Sequence, residues 1–157
     1  MNLFALNLML AFVWALATGS LSEVNLVIGF LVGMGVLQFV GGALGDARYT
    51  VRFLRAIGLA LFFLKELLLS SVRVAIDVIR PEMTMTPAVI AVPLDVTSDA
   101  EITLLANLIS LTPGTLSLDV ADDKSCLYVH AMYGSDPERL AQEIKSSFER
   151  RIQEVFR

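Results

Sequence analysis

His130 is the only histidine of the chain, and Cys126, its only cysteine, lies four residues before it. A thiol and an imidazole within hydrogen-bond reach form the nucleophile and base of thiol chemistry. Both fall in "CLYVHAM" (126–132), which reads as a strand. Residues four apart on a strand lie about 13 Å apart along it, and no carboxylate stands in a catalytic frame with the two. A structural place is therefore expected for each. Lys65-Glu66 is the other candidate, adjacent opposite charges in an apolar run that suggest a proton relay. Neighbours on a helix of ~3.6 residues per turn point about 100° apart, so these two are not expected to pair. The lone cysteine excludes an internal disulfide and a multi-cysteine metal site. The glycines at 29–45 lie inside an apolar run rather than in a phosphate-cradling loop. No catalytic, cofactor-binding or metal site, no enzyme and no small-molecule substrate are expected.

The elements that hold these residues are set by an uneven distribution of charge. Of 157 residues 55% are hydrophobic and 18% charged, for a net charge of −4. Residues 1–45 contain one charge, Glu23; residues 46–80 have a net +3; residues 81–157 hold six basic and twelve acidic side chains. An acidic chain without a basic face gives no footprint for nucleic acid. Two regions facing different solvents are implied.

Met1–Ser22 and Val24–Gly45 are each 22 residues without a charge. A helix needs about 20 apolar residues to cross a hydrocarbon core of about 30 Å, so the pair predicts a transmembrane hairpin turning at Thr18–Asn25. Ala15-Leu-Ala17 imitates a signal-peptidase site, but "MNLF" lacks a basic residue and a second span follows at once. Arg48, Arg52 and Arg55 lie beyond the second span, which puts that end in the cytoplasm. Gly29, Gly33, Gly41 and Gly45 repeat at four-residue spacing. Such spacing lets another helix approach closely, and either the first span or a neighbouring protein could supply it.

In residues 46–80, positions 48, 52, 55, 66, 70, 73, 77 and 80 are polar, with Leu59 and Phe62 filling the gaps. Steps of three and four place them on one stripe of a long amphipathic helix. A charged stripe opposite an apolar face suits a helix lying in the membrane interface. It also suits a third span whose stripe is buried against partners, because a charge at mid-membrane costs at least ~2.5 kcal/mol unless satisfied. The interfacial arrangement is favoured because it buries no charge. It also keeps residues 81–157 in the cytoplasm. Lys65 and Glu66 then serve packing against neighbours.

Pro81 ends that helix, and the tail reads as a small β-α-β-β-α domain. "AVIAVPL" (88–94) is a strand, and Ser98-Asp-Ala-Glu101 has the capping-box spacing for a helix that runs to Leu111. Thr112-Pro113-Gly114-Thr115 suits a type II turn. Leu116, Leu118 and Val120 alternate with Ser117 and Asp119 in a second strand, and "CLYVHAM" returns as its hairpin partner. Ser135-Asp-Pro-Glu138 caps a final amphipathic helix. The first crossover should make its two strands parallel. Alternation predicts Leu127, Val129 and Ala131 under the helices together with Leu116, Leu118 and Val120. Tyr128, His130 and Met132 then form an opposite face, expected to dock on the lipid bilayer or a partner.

"ANLISLTPGTLSLDV" followed by an acidic turn and "LYVHAM" resembles the signature of the E subunit of the Mrp/Mnh/Pha-type multisubunit cation/proton antiporters. The layout of membrane segments, basic segment and short tail is similar too. The resemblance implies a bacterial inner-membrane complex exchanging sodium or another monovalent cation for protons. In that family the large subunits carry the protons, and this small one is an accessory needed for assembly. Its partners would be the other antiporter subunits. Equivalent small subunits in sodium-translocating modules of membrane-bound hydrogenases are the neighbouring possibility. A stand-alone membrane-anchored binding module is the alternative from another class.

Overall fold

The computed structural model describes residues 3–40, 48–81 and 85–157. It divides into two compact units, Met1–Leu54 and Arg55–Arg157.

In the first unit, helices α1 (Leu3–Ala17) and α2 (Glu23–Val40) pack antiparallel. Helix α2 is long and apolar enough to cross a membrane, while α1 is a shorter apolar helix. Their turn is closed by Asn25, which donates through Nδ2 to Ser20 O at 2.6 Å and accepts from Trp14 Nε1 at 3.2 Å. A Cβ on Gly29 would stand 2.9 Å from both Ala11 O and Trp14 Cβ, and one on Gly33 would strike Asn7 Oδ1. Both glycines therefore face α1, where only a missing side chain permits this approach. Gly41 and Gly45 lie outside the described residues. Asn7 is buried and donates to Tyr49 Oη at 3.0 Å, tying α1 to the start of α3 (Tyr49–Ile79).

The second unit holds the rest of α3, strands β1 (Ala88–Pro93), β2 (Thr115–Val120) and β3 (Cys126–Ala131), and helices α4 (Asp99–Leu111), α5 (Pro137–Ile144) and α6 (Arg150–Phe156). Lys145–Glu149 form a π-helical turn between α5 and α6. Ser98 and Glu101 close the capping box of α4 as their spacing requires. Helix α5 differs from expectation: its N-cap is Asp136, not Ser135. The Asp136 carboxylate accepts from Arg139 N–H at 3.1 Å with Pro137 in the first turn, where the missing N–H costs nothing.

The strand order is β1-β3-β2 with both pairings antiparallel. β1 and β2 therefore run parallel, as the crossover requires, but β3 lies between them. The physical reason is burial. Leu127, Val129 and Ala131 are almost fully buried, so the strand with the fullest apolar face takes the centre. Leu127 and Val129 pack with Ile90, Val92, Ile102, Leu105, Ile109, Ile144 and Ile152 in one core that also takes Leu59 of α3.

β2 corrects the alternation reading. A bulge interrupts its register between Ser117 and Asp119. Ser117, not Leu116, turns toward α4: its Oγ donates to Ala106 O at 3.0 Å and its N–H donates to Ser110 Oγ at 3.0 Å. Leu116 and Leu118 are 49% and 51% exposed on the opposite face, and the extra residue returns Val120 to the core side. A bulge of this kind reverses which face the flanking residues occupy.

Candidate functional site

From Arg55 onward the polar stripe of α3 is the seam against which the tail folds. Arg55 Nη1 donates to Glu154 O at 2.8 Å. Phe62 meets Phe148 edge-to-face at 5.3 Å, and the Arg151 guanidinium lies 3.8 Å from the Phe62 ring centroid. Further along, Arg73 lies 5.9 Å from the centroid of Tyr133, whose hydroxyl donates to the nearly buried Asp77 carboxylate. That hydrogen bond, with burial, holds the Tyr133 phenol above its usual pKa. Opposite the seam, Ile57, Leu61, Leu64, Leu68, Val72 and Ile76 are all exposed.

The motif turn sits at this seam. Thr115 N–H donates to Thr112 O at 3.2 Å around Pro113 and Gly114, and Gly114 has φ +93°, a type II geometry that excludes most side chains at that position. Each threonine closes an end of the turn: Thr112 Oγ1 donates to Leu108 O at 2.9 Å, and Thr115 Oγ1 to Ile109 O at 2.7 Å. Gly114 O then accepts from Met132 N–H at 2.8 Å, which fastens the turn to the end of β3. Thr112, Pro113, Gly114 and Thr115 line one side of a cavity of about 420 Å³, and Glu66, Ser70, Arg73 and Tyr133 line others.

Lys65 and Glu66 do approach each other, at 3.8 Å with side chains 66% and 34% exposed, which corrects the expectation that they would not. Their long side chains curl back across the 100° between them. An exposed pair of this kind contributes about 0–1 kcal/mol. Cys126 and His130 lie toward opposite ends of β3. Tyr128 is exposed and His130 and Met132 are half-buried, away from the helices, and Leu116 and Leu118 join them there. Among the described residues no cluster of side chains suits a metal ion.

Glu149 escaped the sequence reading. It is 2% exposed, and its Oε1 accepts from Asp95 N–H at 2.6 Å and Val96 N–H at 3.0 Å, fixing the loop between β1 and α4. The π-turn allows this: Phe148 and Glu149, adjacent in sequence, are both buried. The only sequence signal was a charge beside the apolar Phe148 and Ile152.

The chain matches, over residues 7–155, the family described as "Na+/H+ ion antiporter subunit". It is 40% identical over 152 residues to the E subunit of the Na+/H+ antiporter of Bacillus subtilis, covering 97% of this chain and 96% of the relative. The chain belongs to the family of Na+/H+ antiporter E subunits. Another member, from Alkalihalophilus pseudofirmus, is 39% identical over 150 residues, covering 96% of this chain and 95% of its own. Among solved structures, a chain of the Mrp complex from Dietzia sp. is similar with a TM-score of 0.51 and 30% identity. That likeness covers 66% of this chain and 97% of the other. A chain of a membrane-bound sulfane sulfur reductase, an archaeal respiratory membrane complex, shares the fold over 99% of this chain and 100% of its own. Its TM-score is 0.64 at 24% identity. The motif that resembles the family thus coincides with the turn that joins α4, β2 and the end of β3.

Proposed function

We propose that this chain is a non-translocating accessory subunit of a multisubunit Na+/H+ antiporter in the bacterial inner membrane, with the other antiporter subunits as its partners. Helices α1 and α2 anchor it as a membrane hairpin. Helix α3 lies in the membrane interface with its apolar stripe in lipid, and the tail docks on neighbouring subunits from the cytoplasm. Gly41, Gly45, Lys65 and Glu66 remain candidates for packing against those neighbours.

One observation carries this reading. Three ionisable side chains of α3 are turned to the chain's own tail, Arg55 to Glu154, Arg73 to Tyr133 and Asp77 to Tyr133, while Lys65 and Glu66 meet each other. In α1 and α2 the only ionisable side chain is Glu23, at the first residue of α2. Ion translocation through a membrane requires satisfied ionisable groups along its route, and Arg55, Arg73 and Asp77 are instead committed to holding the tail. The same fold occurs in a chain of an archaeal respiratory membrane complex.

Glu66→Gln in the assembled complex tests the reading, because it removes charge and keeps shape. Assembly and exchange should fall together or not at all. A complex that assembles at normal levels but has lost exchange would refute the accessory role. Labelling of single cysteines in a Cys126-free background should find the tail accessible from the cytoplasm only, and access from the outer face would establish a third span.

A further inference from the structure

The three-stranded sheet packs its helices on one side only, and its other side is unusually apolar. In the register, Val89 and Leu116 flank His130, while Ala91 and Asp119 flank Tyr128. Val89, Leu116, Leu118 and Tyr128 are all exposed. A solvent-facing sheet side is ordinarily polar by alternation. Here the bulge turns two leucines outward while Ser117 holds the inner side to α4. The same bulge blunts the free edge of β2 against strand addition, so a visitor would meet the face and not that edge.

The border of the face has a sign. Asp119, Asp122 and Asp123 are exposed at and beside the β2–β3 turn. The one base in that turn, Lys124, is drawn away to Asp99 at 2.5 Å. Hydrogen bonds from Ser125 hold the Asp123 carboxyl below its usual pKa, so it stays charged. The Tyr128 phenol beside them is pushed up, chiefly by Cys126 and further by Asp123 and Asp119. An apolar centre of this kind marks an interaction surface. The cytoplasmic leaflet is anionic and would be repelled by three carboxylates.

Resting on the accessory-subunit reading, we infer that this sheet face seats a cytoplasmic segment of another antiporter subunit. That segment has an apolar centre, fits around Tyr128, Leu116 and Leu118, and carries Lys or Arg opposite Asp119, Asp122 and Asp123. Charge selects a protein with a basic border over lipid, and the bulge selects the face over the edge.

The test uses the whole complex in native membranes. Benzoylphenylalanine at Leu118 should cross-link to a different antiporter subunit, while the same group at the helix-side position Gln142 should not. Leu116→Ser with Leu118→Ser should lower recovery of the other subunits about tenfold, the size expected when interface anchors are truncated. Asp122→Lys with Asp123→Lys should lower it similarly, with the chain's own membrane level unchanged in both. Cross-linking from Leu118 to a second copy of this chain, or to lipid alone, would overturn the inference. So would normal recovery after the charge reversal. The Glu66→Gln outcome is read separately as exchange per assembled complex, so the accessory reading can fail while this face still cross-links.

Discussion

Removing the Glu149 carboxylate should loosen the connection between β1 and α4 more than any exposed substitution in the tail. The side chain is 2% exposed and its Oε1 accepts from two backbone amides, at 2.6 and 3.0 Å. A hydrogen bond to a charged group contributes about 1.5–3 kcal/mol, and an orphaned buried donor costs about 1–3 kcal/mol. In Glu149→Ala the Val96 amide is left buried, whereas water can reach the part-buried amide of Asp95. Counting the first nearly in full and the second at a fraction gives about 3 kcal/mol. At about 4–8 °C per kcal/mol for a small domain, the tail should melt about 12–24 °C below the parent. Glu149→Gln keeps an oxygen for both amides and loses only the charge, so it should cost about 1 kcal/mol.

The assay is thermal unfolding of the purified full chain in detergent, alongside hydrogen exchange of a peptide spanning residues 94–98. Alanine should raise exchange at Asp95 and Val96 sharply and glutamine only modestly. The reasoning is refuted if both variants melt with the parent and the two amides stay protected in Glu149→Ala.

Gly114→Ala should destabilise the tail by about 1–2 kcal/mol, the cost of a left-handed conformation for a side-chain-bearing residue. The nearest atom to its new Cβ is a Tyr133 ring carbon at 3.5 Å, an ordinary contact, so a clash would not explain the loss. Tyr133→Phe should cost about 1.5–3 kcal/mol at neutral pH by removing the bond to Asp77. The folded pKa of Tyr133 is raised, so its neutral form contributes stability fully present below the usual phenol value near ~10 and lost as pH rises through the folded value. Unfolding midpoints compared at pH ~8 and ~11 should show that alkaline loss in the parent and lack it in Tyr133→Phe. In the hairpin, Gly33→Ala should lower detergent thermostability and Asn7→Ala should partly rescue it, since the obstruction is a side-chain atom. Gly29→Ala should resist rescue, because Ala11 backbone oxygen obstructs it at 2.9 Å.

What was legible in the sequence was whatever local chemistry decides. The capping box at Ser98, the Pro113-Gly114 turn and the inward side of β3 each rest on a few neighbouring residues, and each is found where the residues put it. The order of strands was not legible, because nothing local states that β3 enters between β1 and β2. The bulge was not legible either. Leu116, Leu118 and Val120 alternate cleanly, and the competing signal, Ser117 bonded to Ala106 and Ser110, comes from a helix seven to eleven residues away. Glu149 was hidden for the same reason, since its partners lie fifty-four and fifty-three residues earlier.

The polar stripe of α3 shows how far a periodicity can be trusted. Spacing identified the stripe and that it needed a partner, but lipid interface, neighbouring subunit and own tail satisfy the same pattern. The tail supplies the partner from Arg55 to Asp77. This commitment changes what the opposite face implies. A helix with one side held by its own chain cannot bury its apolar side there as well, so Ile57, Leu61, Leu64, Leu68, Val72 and Ile76 are left exposed. Leaving these aliphatic side chains in water would forgo about 25 cal/mol per Å² of apolar surface, over a stripe nearly 30 Å long at about 1.5 Å per residue. Lipid or a neighbouring subunit recovers that energy and water does not. The seam to the tail therefore does two jobs. It engages Arg55, Arg73 and Asp77 of α3 and leaves that helix free to bind along its other side.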